Sequence, residues 1–128
     1  MLETVGEGAF DSVKTLYTLD LPSVVTLGNS CFASMDNLEQ LTWGPNLTSI
    51  GSNIFNGSNN NGQLSLYFIG STPPDPDAFD QGAFLYDSST PFKFEGIYVP
   101  AGSKEAYRTV FESKLTSGAV TSSYLKEY

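Results

Sequence analysis

The sequence contains no histidine, and this absence excludes several kinds of catalytic site. A Ser-His-Asp or Cys-His arrangement needs an imidazole base, and many transition-metal sites need imidazole ligands. The chain of 128 residues also has one cysteine, Cys31, so it cannot form a disulfide within itself. The sequence therefore predicts no catalytic residues, no metal ligands and no cofactor-binding residues.

Basic residues are scarce, with 6 lysines and arginines against 14 acidic residues and a formal net charge of −8. A nucleic-acid binder needs basic side chains to neutralise phosphates, and an anionic membrane surface repels a chain of this charge. No stretch approaches the roughly 20 apolar residues that span a bilayer. The N-terminus has no basic segment followed by an apolar run, so we expect no signal peptide in this chain. We therefore expect neither nucleic-acid binding nor membrane insertion.

Two sub-motifs repeat in phase along the first half of the chain. The first is an aliphatic residue and Gly, then two variable residues, a small or aliphatic residue and Phe. It occurs three times, at 5–10, 27–32 and 50–55, so its phenylalanines lie 22 and then 23 positions apart. The second sub-motif places apolar residues and a proline between these copies: Leu16, Leu19, Leu21 and Pro22, then Leu38, Leu41, Trp43 and Pro45.

The spacing of the second sub-motif predicts short strands that must stack to be stable. Alternate side chains of a strand share a face, so Leu19 and Leu21 are expected inside and Thr18 and Asp20 outside. One such strand cannot bury its own apolar face, whereas successive turns stacked on one another form a continuous core. The phenylalanines would then form a ladder in the opposite wall. Each Gly either adopts a positive φ or allows close packing between turns.

These motifs resemble the BspA-like (Treponema pallidum-type) leucine-rich repeats of bacterial surface proteins. Residues 16–32 match the family pattern L-x-x-I-x-L-P-x-x-L-x-x-I-G-x-x-A-F closely, and residues 38–55 match with Trp43-Gly44-Pro45 in place of Leu-Pro. The clear resemblance covers residues 2–55, and a looser one continues to about residue 111. It implies a leucine-rich-repeat solenoid, a right-handed coil of short parallel β-strands with turns and short helical pieces. It also implies a cell-surface or secreted location and an adhesive, extracellular role.

We expect repeats over residues 1–100, about four in number with the first partial and the last irregular, and a C-terminal capping helix and tail over 101–128. Ser103 is expected to cap the helix with its hydroxyl. The buried helical face is predicted to contain Ala106, Tyr107, Val110, Phe111 and Leu115. Cys31 is expected to be a buried small hydrophobe. Trp43 either fills a wider turn of the core or is partly exposed as a contact residue.

The repeat pattern becomes irregular after Phe55. Residues 56–62 are predicted to be a loop, and a strand is predicted at 64–69. Two pairs compete for the next Ala-Phe position, Ala78-Phe79 and Ala83-Phe84, and Gly82 favours the second. Three acidic residues lie in this segment, Asp75, Asp77 and Asp80. They are interpreted as turn residues rather than calcium ligands, because no bidentate acid follows at the required distance.

The predicted function is non-catalytic recognition of a protein or a glycan on the concave strands. The side chains assigned to this binding surface are Thr18, Asp20, Gln40, Thr42, Ser65 and Tyr67. An alternative is a purely structural cap or stalk of a longer repeat protein, or self-association as a homodimer through the uncapped N-terminal repeat. A hydrolase using Asp20 or Glu39 is disfavoured, since exposed acids on a smooth sheet have no cleft around them.

Overall fold

The computed structural model describes residues 2–58, 62–85, 87, 92–115 and 124–128. Within them the chain forms eight short strands, one turn of 3-10 helix at Pro76–Ala78 and one α-helix, α1, at Lys104–Lys114. The strands are β1 Thr4–Val5, β2 Thr18–Leu21, β3 Thr26–Leu27, β4 Gln40–Trp43, β5 Ser49–Ile50, β6 Ser65–Phe68, β7 Gly96–Val99 and β8 Leu125–Glu127. No described helix has the length and apolar character needed to cross a membrane.

The strands form two parallel sheets that face each other across the core. The three-stranded sheet has the order β1-β3-β5, and the five-stranded sheet has the order β2-β4-β6-β7-β8. In the first half of the chain each turn contributes one strand to each sheet, as a coil of stacked repeats requires. All strand pairs are parallel and in simple register. The predicted leucine-rich-repeat solenoid is therefore confirmed.

The predicted phenylalanine ladder is present and is one ring longer than the motif copies indicated. Ring centroids are 5.8 Å apart between Phe10 and Phe32, 5.9 Å between Phe32 and Phe55, and 6.1 Å between Phe55 and Phe84. Trp43 is fully buried and stacks on both Phe32 and Phe84. Of its two alternatives, the core-filling one is therefore correct. Leu19 is only half-buried, because β2 is the first strand of its sheet.

The repeated glycines are required by close contact between turns and not by a positive φ. A Cβ atom on Gly28 would lie 2.5 Å from the backbone nitrogen of Glu7 in the preceding turn. A Cβ on Gly51 would meet the Asn29 side chain at 2.5 Å and the Asn29 backbone nitrogen at 2.7 Å. Neither glycine is among the residues with positive φ. The close-packing explanation is thus correct for both positions.

The irregular fourth turn uses both competing aromatic pairs. Phe79 forms a parallel bridge with Ile50, and the Asp80 backbone nitrogen donates to the Ile50 carbonyl, so this residue takes the place of the repeated glycine. Ala83 and Phe84 are fully buried and continue the ladder. Phe79 therefore occupies the aliphatic position of the motif and Phe84 its phenylalanine position. The preference for Ala83-Phe84 as the Ala-Phe pair agrees with this register.

Helix α1 packs its aromatic side against the end of the core. Tyr107 and Phe111 lie 5.0 and 5.9 Å from the ring of Phe68, and the Tyr107 hydroxyl donates to the carbonyl of Gly70. Burial raises the pKa of Tyr107, so its phenol stays protonated. Tyr107, Val110, Phe111 and Leu115 are buried as predicted. Ala106 is exposed, so its assignment to the buried face is wrong.

The prediction that the Ser103 hydroxyl caps α1 is also wrong. Ser103 stands at the N-cap position, but its hydroxyl donates to the carbonyl of Pro100 and makes no cap hydrogen bond. The first helical N–H, on Lys104, donates instead to a carboxylate oxygen of Glu127 at 3.1 Å. Glu127 belongs to β8, which pairs with β7 in parallel. A strand that returns beside the sheet therefore provides the anion at the helix N-terminus.

Candidate recognition surface

The outward side chains of the five-stranded sheet form two rows, which we call the outer face. One row contains Thr18, Gln40, Ser65 and Gly96, and the other contains Asp20, Thr42, Tyr67, Tyr98 and Lys126. All six residues predicted for binding lie in these rows, and each is exposed or half-buried. The alternation of the strands thus brings the predicted residues together on one surface.

Along the second row, the side chains change from the acidic Asp20, through the small Thr42, to the stacked rings of Tyr67 and Tyr98. Tyr67 and Tyr98 stack with centroids 4.7 Å apart and planes 12° from parallel. Tyr128 contributes a third ring, 5.9 Å from Tyr67 and tilted by 59°, and its hydroxyl donates to the Phe68 carbonyl. Mutual stacking restrains these side chains, which reduces the conformational entropy lost when a ligand binds.

Glu95 organises the C-terminal end of the outer face. Its carboxylate accepts hydrogen bonds from the Ser65 hydroxyl at 2.6 Å and from the Tyr98 hydroxyl at 2.9 Å. The Lys126 ammonium lies 3.2 Å from the same carboxylate and 5.6 Å from the centroid of the Tyr98 ring. The hydrogen bonds from Ser65 and Tyr98 lower the pKa of Glu95, and the charge of Lys126 adds to this effect. The hydrogen bond to Glu95 raises the pKa of Tyr98.

The N-terminal end of the outer face is acidic. Asp20 in β2 and Glu39, which immediately precedes β4, are both exposed. In the part of the chain that the structure describes, neither carboxylate forms an ion pair. Lys126, the one basic residue within the strands of this sheet, lies in the fifth strand and is engaged by Glu95. The outer face is therefore polarised, with the unneutralised carboxylate of Asp20 in its first strand and Lys126 in its fifth.

The acidic turn at residues 75–80 forms hydrogen bonds of its own. Asp75 accepts from the backbone nitrogen of Asp77, and Asp80 accepts from that of Gly82, each at 2.8 Å. Asp77 also lies 3.6 Å from the ammonium of Lys114. The turn interpretation agrees with these contacts. Among the described residues, no three His, Cys, Asp or Glu side chains are grouped so that they could hold a metal ion.

Cys31 occupies the small-residue position of its repeat and is fully buried beside the phenylalanine ladder. Desolvation raises the pKa of its thiol to about 12. The thiolate is the reactive form of cysteine, so this residue is inert in the folded chain. Its prediction as a buried hydrophobe agrees with this environment.

Comparison with known proteins identifies the repeat. The family model described as "BspA type Leucine rich repeat region (6 copies)" matches residues 1–116. The chain belongs to this BspA-type leucine-rich repeat family. The resemblance found in the motifs at 16–32 and 38–55 is thereby confirmed, and it extends through the irregular turn and α1.

The fold of this BspA-type chain is similar to a solved one, the crystal structure of the pneumococcal vaccine antigen PcpA. The TM-score is 0.66 and the sequence identity is 21%, with 99% of this chain aligned to 28% of that protein. At this identity the likeness supports the fold alone, and the chain spans little more than a quarter of that relative's length. No curated protein matches the chain significantly.

Three residues that shape the outer face were not among the six assigned to the binding surface: Glu95, Tyr98 and Lys126. Lys126 was missed because β8 was expected to be part of a tail. The alternation of Tyr124, Leu125 and Lys126 is a signal for that strand. However, β8 has only 3 residues, and a pattern of that length cannot be distinguished from a loop. Glu95 lies outside the strand alternation, since it precedes β7, and only the folded geometry shows that its carboxylate reaches the face.

Proposed function

We propose that this chain is a non-catalytic recognition module that binds a protein partner on the outer face of its five-stranded sheet. The observation that carries the proposal is the pair of outward rows, in which polar and aromatic side chains from successive turns lie in register. Tyrosine is enriched at protein interfaces, and a rigid sheet fixes the positions of these groups before binding.

Recognition suits this surface better than catalysis does. The side chains of the outer face stand in open rows on strands, where water has access to them. Catalysis of hydrolysis by paired carboxylates depends on a cleft that shifts pKa values and excludes bulk water. Asp20 and Glu39 are instead both exposed to solvent. Family membership supports an interaction role, and with it we propose a cell-surface or secreted location in a bacterium.

A binding survey with matched surface variants tests the proposal. The full chain is immobilised and exposed to purified host and matrix proteins and, separately, to a glycan array. The double variant Gln40→Arg with Thr42→Arg fills the centre of the outer face with long cations. Ser49→Arg is the control, because Ser49 is an exposed strand residue of the other sheet.

We expect retention of one or more proteins, loss of that retention in the Gln40→Arg, Thr42→Arg variant, and unchanged retention in Ser49→Arg. Retention of glycans alone would reassign the ligand class. Binding that survives on the outer-face variant but is lost in the control would contradict the proposed surface. Retention of neither class would favour the purely structural role of a cap or stalk.

A second candidate function is self-association through the first turn. The outer edges of β1 and β2 carry no neighbouring strand among the described residues. Leu2 and Tyr17 are 51% and 57% exposed there. A Cβ on Gly6 would meet nothing within 4 Å, whereas Gly28 at the same motif position is pressed against the preceding turn. The first turn thus presents the surface on which another turn stacks.

Molar mass in solution tests this second function. Light scattering over a range of concentrations should show a dimer if two first turns stack on each other. The variant Tyr17→Glu should then shift the equilibrium to monomer by placing a charge in the contact. A monomer at every concentration would refute self-association and leave the recognition role unaffected.

A further inference from the structure

The tyrosine pair on the outer face already binds one cation of its own chain. Lys126 lies in β8, on the other side of β7 from the strand of Tyr67, and its ammonium is 5.6 Å from the centroid of the Tyr98 ring. The same ammonium lies 3.2 Å from a carboxylate oxygen of Glu95. An aromatic face and a carboxylate together thus hold a primary ammonium at one end of the stacked pair. This combination is an energetically favourable site for a cation.

The other end of the pair offers an aromatic ring and a carboxylate as well, and among the described residues no cation contacts either of them. Tyr98 lies on the β7 side of Tyr67, so the opposite ring face of Tyr67 is directed towards β4, where its neighbour in the row is Thr42. Beyond Thr42 the row continues to the exposed carboxylate of Asp20. We call Asp20, Thr42 and Tyr67 the notch.

The dimensions of the notch fit a planar cation. Adjacent strands are about 4.8 Å apart, so the backbones of Asp20 and Tyr67 are separated by about 10 Å, with the short side chain of Thr42 between them. A guanidinium group in this gap lies within about 6 Å of the Tyr67 ring centroid, and its positive charge faces the carboxylate of Asp20. The Thr42 hydroxyl and the neighbouring Gln40 amide supply further acceptors at the floor.

The charge of the surface selects the same class of partner. The net charge of the chain is −8. Asp20 and Glu39 form no ion pair among the described residues, and the basic residue nearest along the row, Lys126, is engaged by Glu95. An acidic surface accelerates encounter with a basic partner and repels acidic ones. A neutral sugar would gain the aromatic contact but would leave the carboxylate without a counter-charge.

We infer that the notch binds an arginine side chain presented by a basic segment of a protein partner. The guanidinium lies between the Tyr67 ring and the Asp20 carboxylate and is attracted by both, as Lys126 is held near the Tyr98 ring and the Glu95 carboxylate. The inference rests on the proposed recognition function and names the chemistry of its ligand.

A synthetic peptide pair tests the inference directly. One peptide alternates arginine with glycine and serine, and the other replaces every arginine by citrulline, which has the same shape without the charge. Binding of each labelled peptide to the full chain is measured by fluorescence anisotropy at low and physiological salt. We expect the arginine peptide to bind about tenfold or more tightly than the citrulline peptide, with a lysine peptide between them.

Two variants localise the site, and a third controls for net charge. Asp20→Asn and Tyr67→Leu should each weaken binding of the arginine peptide by about five- to tenfold. Glu7→Gln removes the same charge from an exposed position in the first turn, away from the outer face, and should change binding less than twofold. Circular dichroism of each variant establishes that it is folded.

Equal binding of the arginine and citrulline peptides would overturn the inference. Equal weakening by Asp20→Asn and Glu7→Gln would also overturn it, because the attraction would then be a property of the whole chain. Either result leaves the proposed function intact as long as some protein is retained on the outer face. Retention that depends on the face but is carried by neutral glycans would reject the arginine ligand and identify the competing class.

Discussion

The regular turns of residues 2–58 and the irregular end of the molecule are held together by different means. In the regular turns, the backbones of successive turns are in close contact at the glycines of the motif. A Cβ at Gly28 or Gly51 would collide with the preceding turn. At the irregular end, Asp80 takes the glycine position and Phe79 the aliphatic one. There the core is continued by the aromatic side chains of Phe79, Phe84, Phe92 and Phe94 and by those of α1. Both regions keep the strand register of the five-stranded sheet, but in the other wall the regular turns rely on close backbone contact and the irregular turn on aromatic side chains.

The largest expected effect comes from the ring that joins the two regions. Phe55 stacks on Phe32 in the regular part and contacts Phe84, Phe92 and Phe94 in the irregular part. Phe55→Ala should lower the free energy of unfolding by about 3–5 kcal/mol, measured by urea denaturation. Phe10→Ala, at the half-buried end of the same ladder, should cost less than half as much. Equal losses would contradict the distinction between a central and a terminal ring.

A pair of glycine variants sharpens the claim that close packing between turns governs the regular region. Gly28→Ala places a Cβ 2.5 Å from backbone in the preceding turn, and backbone cannot move aside cheaply. We expect a loss of about 1–3 kcal/mol in the free energy of unfolding. Gly6→Ala, at the same motif position, meets no atom within 4 Å and should be close to neutral. Similar losses in both variants would show that glycine serves a conformational purpose instead.

The cap of α1 tests whether the irregular end depends on contacts distant in sequence. Glu127→Ala removes the acceptor of the Lys104 N–H. It should lower the free energy of unfolding by about 0.5–2 kcal/mol, measured by urea denaturation. Glu112→Ala, an exposed acid on the same helix, should change stability by less than about 0.5 kcal/mol. If the two variants are equally stable, Glu127 does not cap the helix.

The smallest effect concerns Glu95, whose pKa is lowered by hydrogen bonds from Ser65 and Tyr98 and by Lys126. A carboxyl with a lowered pKa stabilises the fold above its unfolded pKa, and this contribution is lost as the pH falls through the folded pKa. Glu95→Gln should therefore be less stable than the wild type at neutral pH, by under about 1 kcal/mol because the group is exposed. The difference should shrink between neutral pH and an acidic pH, as the pH falls through the lowered pKa of Glu95. A constant difference at both pH values would exclude the ionised carboxylate as its source.

The same contrast explains what the sequence could predict. Strand alternation placed Thr18 and Asp20 outside and the ladder inside, because those properties depend on local spacing. The register of the fourth turn, the capping role of Glu127 and the contact of Lys126 with Tyr98 depend on residues far apart in the chain. The candidate surface was therefore predictable at its regular strands, and its C-terminal end was not, since Lys126 reaches it through a strand that follows α1.

The most direct measurement of the central claim is a titration of the full chain with the arginine peptide, followed by two-dimensional amide NMR. We expect saturable shifts concentrated on the outward residues of β2, β4 and β6, including Asp20, Thr42 and Tyr67. We expect no comparable shifts of these residues with the citrulline peptide. Shifts confined to β1, β3 and β5, or spread over all exposed acids without saturation, would contradict the claim that the outer face recognises a basic partner.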